Sequence, residues 1–261
     1  MTGPSMARPI DPGNLRTERG ISLSQIFCCG LVLISALLSP ILALAVERID
    51  ISGLTAVENS KLPEHWQPLI FPSIAAATSY EIVEDTVYGP VILAESSSGA
   101  GGIARSISVD PEKYQVLNWT WKIETTLPGS SLVSKNGDDF PVRVMISFAT
   151  NDAVLKGSRD NILCYVWASE ESIDSIAVNP IHNHIMTVVA ASGDTHSGTW
   201  LELSRNIVDD YMRAFSAKPG RITGVALMTD SDNTRSETRA WYGPVWLSSL
   251  SDPNPSPEIK R

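Results

Sequence analysis

From residue 79 onward the chain is a succession of short runs rich in Val, Ile, Thr, Trp and Tyr, each closed by turn residues. The runs cover residues 79–84, 90–96, 103–109, 116–124, 142–149, 162–168, 185–191, 199–206, 222–229 and 241–247. Each is too short and too rich in β-branched and aromatic residues for a helix. The separators at 96–102, 127–130 and 192–194 are Gly-, Ser- and Pro-containing loops. No long helical segments alternate with these runs, which excludes a doubly wound parallel sheet. The pattern predicts an all-β chain of about ten strands, an antiparallel β-sandwich (a jelly roll) or a barrel. One short helix is expected at 208–215, closed by Lys218-Pro219-Gly220, and a second within 63–77.

Alternation assigns the buried faces, because successive side chains on a strand point to opposite sides. Leu117, Trp119, Trp121 and Ile123 share one face, and Asn118, Thr120 and Lys122 the other. Val142, Val144, Ile146 and Phe148 oppose Arg143, Met145 and Ser147. Leu201 and Leu203 face in, while Trp200, Glu202, Ser204 and Asn206 face out. The run 162–168 is apolar on both faces. It is either a central strand covered on both sides or a strand whose Tyr165 and Trp167 line a groove.

The first 45 residues read as a targeting segment. Arg8, Arg16 and Arg19 precede an apolar run at 26–45 that ends Ala43-Leu44-Ala45, a small-x-small cleavage pattern. The expected organisation is a signal peptide at 1–45, a single sandwich domain at 46–250 and a disordered tail at 251–261. The rival reading is an uncleaved helix that anchors the chain in a membrane. The long basic region makes either Met1 or Met6 a plausible start. Cys28 and Cys29 lack the small residue that a lipoprotein site needs before the cysteine. Beyond the segment only Cys164 remains, so no internal disulfide can form, and its apolar run marks it as packing rather than nucleophile.

Several motifs occur in a fixed order. They are Trp119-Thr120-Trp121-Lys122, the stretch from Lys135 through Asp138-Asp139 to Val144, Tyr165-Val166-Trp167, Arg205-Asn206 with Asp209-Asp210-Tyr211, and Thr229–Thr234 ahead of Trp241-Tyr242-Gly243. With these motifs the chain resembles the exported bacterial proteins grouped as domain of unknown function 3047 (DUF3047), over residues 64–248. The resemblance implies no established activity. The closing pattern, 222–228, an Asp-rich loop and 241–247, is also similar to galactose-binding-like jelly rolls, a likeness of fold only.

The candidate chemistry is polar and oxygen-rich. Asp230, Asp232 and Asn233 put three oxygen ligands in one loop, which suits a hard cation such as calcium; the plain alternative is a turn capped by its own Asp and Asn side chains. Asp139 and Arg143 either point together into a groove, where the guanidinium would grip a carboxylate or sulfate, or form a structural ion pair. His182 and His184 could hold zinc with His196 or Asp194 as third ligand; as loop histidines they would otherwise be solvated. Gly-x-Ser-x-Gly and phosphate-loop motifs are missing from the sequence.

With 29 acidic against 20 basic side chains and no basic tract, nucleic acid is excluded as the main partner. Three functions stand. The first is an exported, non-enzymatic module that binds an envelope or environmental polysaccharide through Lys122, Arg143, Tyr165, Trp167 and Glu202. The second is a polysaccharide hydrolase or lyase using Asp139 and Glu202 as acid and base. The third is an envelope protein-interaction domain. A membrane is a partner only if the N-terminal segment is retained.

Overall fold

A computed structural model describes residues 47–54, 62–150 and 159–250; the expected signal peptide, the choice between its cleavage and its retention as an anchor, and the expected tail at 251–261 lie outside them. The strands in chain order are β1 (Arg48–Asp50), β2 (Gln67–Leu69), β3 (Ser79–Asp85), β4 (Gly89–Ser97), β5 (Ala100–Val109), β6 (Val116–Ile123) and β7 (Arg143–Phe148). They continue with β8 (Asn161–Ala168), β9 (Ile176–Val178), β10 (Ile185–Ser192), β11 (Leu201–Asn206), β12 (Ile222–Asp230) and β13 (Glu237–Ser248). One helix, α1 (Ile207–Phe215), follows β11. All ten expected strands are present. The three unforeseen ones, β1, β2 and β9, have three residues each, too few to show a period.

The strands form two sheets. One has the order β11-β6-β13-β4-β3, with β1 added to the end of β13. The other has the order β2-β5-β12-β7-β8-β10-β9. From β3 to β7, and again from β10 to β13, the chain crosses between the sheets at almost every connection, the jelly-roll way of closing a sandwich. The ladders are antiparallel except that β10 runs parallel to β8. The intervening β9 turns back on the outer edge and pairs antiparallel with β10, which reverses the direction of return.

Segment 63–77 holds β2 and turns rather than a second helix. Pro63, Pro68 and Pro72 recur every four or five residues, and a proline inside a helix removes a hydrogen bond and clashes with the preceding turn. The helix at 207–215 does form. The Asn206 side chain accepts from the Val208 and Asp209 backbone amides, and Ser216 ends it in a left-handed conformation at φ 54°. Asp210 does more than favour the helix dipole. It accepts from the Tyr165 hydroxyl at 2.9 Å and from Arg205 Nε at 2.8 Å, tying the helix to β8 and β11.

The core lies between the sheets and is built on aromatic rings. Trp119 and Trp121 from β6 meet Tyr165 and Trp167 from β8, with ring centroids 5.0 Å and 6.2 Å apart. All four are buried. The two-sided run is therefore a covered central strand. Leu163, Tyr165 and Trp167 enter the main core, while Cys164, Val166 and Ala168 join a second cluster on the outer face with Leu132 and Phe140. Burial pushes the Cys164 thiol up to about 12, in keeping with a packing role. Truncating Trp167 to Ala is expected to lower stability by about 3–5 kcal/mol, the usual cost of emptying such a site. Urea unfolding measures it; a loss below about 1 kcal/mol would mean the ring is not held between the sheets.

Candidate functional site

Arg143 opens β7 on the outer face of the seven-stranded sheet and is 4% exposed. A buried guanidinium must have its N–H groups met. Nε donates to Asp230 Oδ1 at 3.0 Å and Nη2 to Asp230 Oδ2 at 2.6 Å. Nη1 donates to Asp138 Oδ1 at 3.1 Å, and Nη2 also reaches the Asp138 carbonyl at 2.6 Å. The guanidinium lies 4.7 Å from the centre of the Phe140 ring. Asp138 in turn accepts from Asn179 Nδ2 at 2.8 Å, which draws in the loop between β9 and β10. Arg143 is in a buried ion pair with Asp138 and Asp230, not with Asp139 as expected. Asp139 precedes the strand, so alternation does not apply to it. Its carboxylate accepts from Asn233 Nδ2 at 3.0 Å and from Thr234 backbone and hydroxyl at 2.6 and 2.7 Å.

Asp138, Arg143, Asn179 and Asp230 form one end of a groove of about 690 Å³. Leu69, Phe71, Ile74, Ile162 and Ile181 wall it, Met145 and Met228 floor it, and Asp232 and Asn233 complete the acidic end. Arg159, His182 and His184 stand at its rim. The groove continues into a hollow of about 450 Å³ that shares Leu69, Met145 and Ile162 and is lined by Ala104, Gly224 and Ala226. Burial pushes Asp230 up to about 6, against the pull of Arg143. Burial raises Asp232 as well, helped by the neighbouring Asp139 charge. Burial, then the adjacent His182, holds His184 below the usual histidine value.

Two metal readings meet this geometry. Asp139, Asp230 and Asp232 each bring an oxygen to within 4.8 Å of the others. Asp139, from a loop some ninety residues earlier, joins the expected Asp230 and Asp232 in this group. Asp230 has both oxygens on Arg143, whose charge opposes a cation at the same carboxylate. Asn233 donates to Asp139 through Nδ2, which leaves Oδ1 as the atom a cation would take. The side chains that can face calcium are then Asp139, Asp232 and Asn233, against the six to eight oxygens it takes. For zinc, the His182 and His184 rings are 5.7 Å apart at the start of β10. Asp194 and His196 follow its end, and eight residues of strand span roughly 26 Å. Asp194 instead accepts from Thr125, Thr126 and Ser197, which hold its carboxyl below the usual range. The third ligand is out of reach.

The five residues assigned to a single ligand face are spread over three places. Arg143 is at the groove. Tyr165 and Trp167 are between the sheets, sealed from any ligand. Lys122 and Glu202 are on the outer face of the six-stranded sheet. Lys122 Nζ lies 3.3 Å from Asp85 Oδ2 and over the Trp200 and Trp241 rings at 4.9 and 4.5 Å. Glu202 Oε1 accepts from the Tyr88 hydroxyl at 2.6 Å. Asp139 and Glu202 thus lie on opposite sides of the sandwich and cannot flank one bond as an acid and base. The groove walls carried no signal in the sequence, because Phe71, Ile181 and Met228 come from three separate segments that only the sheet order brings together.

Removing Arg143 leaves Asp138 and Asp230 as uncompensated buried charges, so Arg143→Ala is expected to cost about 3–5 kcal/mol at pH 7.5. Arg143→Lys rescues little, since one ammonium cannot make the paired contacts. The sign with pH follows from Asp230, whose pKa in the folded chain is raised. Such a group favours the fold below the unfolded carboxylate value near 4, and that advantage is lost as pH rises through about 6. Without Arg143 this effect grows, so the penalty of the variant should shrink between pH 7.5 and pH 4.5. Urea titrations at both values check it; an equal or larger penalty at pH 4.5 would contradict the ion-pair account.

Among solved structures, the fold is similar to the family 11 carbohydrate-binding module of the cellulosomal cellulase Lic26A-Cel5E of Clostridium thermocellum, at 11% identity over 79% of this chain and 96% of that one, with a TM-score of 0.43. It is also similar to the family 30 carbohydrate-binding module of the cellulosomal cellulase Cel9D-Cel44B of the same organism, at 10% identity over 79% and 100%, with a TM-score of 0.43. No curated protein matches the sequence. The family model described as protein of unknown function DUF3047 matches residues 64–246, which takes in nearly all of both sheets, and the chain belongs to that family.

Proposed function

We propose that the chain is an exported, non-catalytic module that binds a polysaccharide of the cell envelope or surroundings in the groove on the seven-stranded sheet. Export rests on the N-terminal apolar run and its small-x-small end. The observation that carries the binding reading is the make-up of the groove, an apolar wall facing fixed carboxylates and amides. A sugar ring has the same two sides, a C–H face that packs on side chains such as Phe71 and hydroxyls that donate to Asp138, Asp232 and Asn233. The ion pairs and the Asn179 contact hold these acceptors before a ligand arrives, which lowers the ordering cost of binding.

The charge of the groove selects among glycans. Arg143 was read as a grip for an anionic sugar, yet its donors are spent on Asp138 and Asp230. The acidic end then offers acceptors, which favours neutral or amino sugars over polyuronates.

Affinity electrophoresis of the purified protein through gels containing glucans, galactans, mannans, chitosan or polyuronates tests this. Retardation by a neutral or amino glycan is expected. Phe71→Ala and Asp232→Asn should each weaken it about tenfold, as central contacts of a small site do. EDTA should leave it unchanged, because Asp230 is committed to Arg143. Retardation by polyuronates alone would refute the charge argument, and no retardation by any glycan would move the role to protein interaction.

A further inference from the structure

The six-stranded sheet carries a second, smaller recess on its outer face, far from the groove. It forms where β13 stops pairing with β4 at Tyr242 and takes up β1 at Trp246. Between these points β13 bulges. Tyr242 pairs with Trp121 and Val245 with Trp119, so Gly243 and Pro244 together stand opposite the single residue Thr120. A bulge is one of the few places where a sheet accepts proline. The glycine is required too, because a β-carbon at Gly243 would collide with Thr120 Oγ1. The bulge leaves a hollow of about 250 Å³ between Tyr88, Pro244 and Trp246, with Arg48, Asp50 and Glu202 around it.

Three features make this hollow a binding site rather than a packing defect. The Tyr88 and Trp246 side chains are half-buried, each presenting ring surface to solvent. Tyr88 is fixed, its hydroxyl on Glu202 and its ring 4.9 Å from that of Trp200. Thr120, at the floor, is 1% exposed, and its hydroxyl has no hydrogen-bond partner. A buried polar group without a partner is costly.

We infer that this recess binds the terminal pyranose of a glycan, independently of the groove. Aromatic rings beside both donors and acceptors match the two-sided surface of a single sugar ring. A hollow of about 250 Å³ has room for one sugar ring and so suits a chain end, whereas the groove of about 690 Å³ and its adjoining hollow have room for several. Trp246 provides the stacking surface and Arg48 a donor, and the Thr120 hydroxyl gains its partner when a sugar hydroxyl enters. The inference does not require the groove to bind sugar. If both sites do, one chain can hold an end and an interior segment together, and the second contact is strengthened by the first.

The test is proton–nitrogen NMR of the purified protein titrated with methyl glucoside, methyl galactoside, methyl mannoside and methyl glucuronide. At least one should shift the Trp246 indole signal and the amides of residues 243–246. Thr120→Val keeps the shape and removes the hydroxyl. It should weaken the monosaccharide about threefold to tenfold, the worth of one hydrogen bond, while the unfolding midpoint holds or rises. Trp246→Ala should abolish the shifts. Phe71→Ala should leave them intact while weakening polysaccharide retention, which separates failure here from failure of the groove. Shifts confined to groove residues, no shift with any glycoside, or equal binding by Thr120→Val and Trp246→Ala would overturn the inference. A lowered midpoint in Thr120→Val would do so as well, since it would show the hydroxyl to be already satisfied within the fold.

Discussion

The arrangement of one end of the sandwich depends on Arg143. A single guanidinium joins the start of β7, the loop before it and the end of β12, and through Asp138 and Asn179 it reaches the loop before β10. Buried charges of this kind gain little net stability when paired and lose much when one partner is removed. The pairing therefore acts mainly on position. Two tyrosines reinforce it from the other sheet. Tyr242 in β13 donates to the Met228 carbonyl at 2.6 Å and accepts from the Arg143 amide at 3.3 Å. Tyr80 in β3 donates to Gly101 and accepts from the Thr229 amide at 2.9 Å. Burial raises both phenols, so they stay neutral and keep donating at ordinary pH. The last residues of β12 are thus held by side chains from both sheets, and Asp230 is presented from a fixed backbone.

The strands are legible because runs rich in β-branched and aromatic residues, each closed by turn residues, extend over enough positions to be read. Alternation showed which sides of β6, β7 and β11 were buried. The run at 162–168 was apolar throughout, so alternation could not choose between a groove and a covered strand. Packing decided it, through Trp119 and Trp121 on one side and Leu132 and Phe140 on the other. The direction of β10 was not legible either, since it depends on β9, whose three residues leave no trace.

The candidate site was legible by residue type and not by location. Arg143, Asp139, Asp230, Asp232 and Asn233 were each singled out, and they do gather at one end of the groove. Lys122 and Glu202 lie on the outer face of the other sheet, away from Arg143. Which sheet a strand joins is a non-local property, fixed by crossings that local composition does not encode. Asp138 was passed over as Arg143's partner because strand spacing pointed to Asp139, whereas the backbone before β7 is a loop that turns Asp139 toward Thr234.

The way the acids are held bears on whether the groove binds or catalyses. A general acid or base needs a lone pair or proton free to meet the reacting atom. Asp230 has both oxygens against Arg143. Asp139 accepts from Asn233 and twice from Thr234. Asp138 accepts from Arg143 and Asn179. Oxygens committed to protein donors in this way are poorly placed to exchange protons with a substrate, yet well placed to shape a surface. Asp232 is the acid of this group whose carboxylate accepts from no other residue among the described residues, whereas Asp138 and Asp230 are held by Arg143 and Asp139 by Asn233 and Thr234; one carboxylate without a second across the groove does not make the pair that glycoside cleavage uses. On the proposed reading that rigidity suits recognition, because acceptors already held beside an apolar wall need no ordering when a ligand arrives.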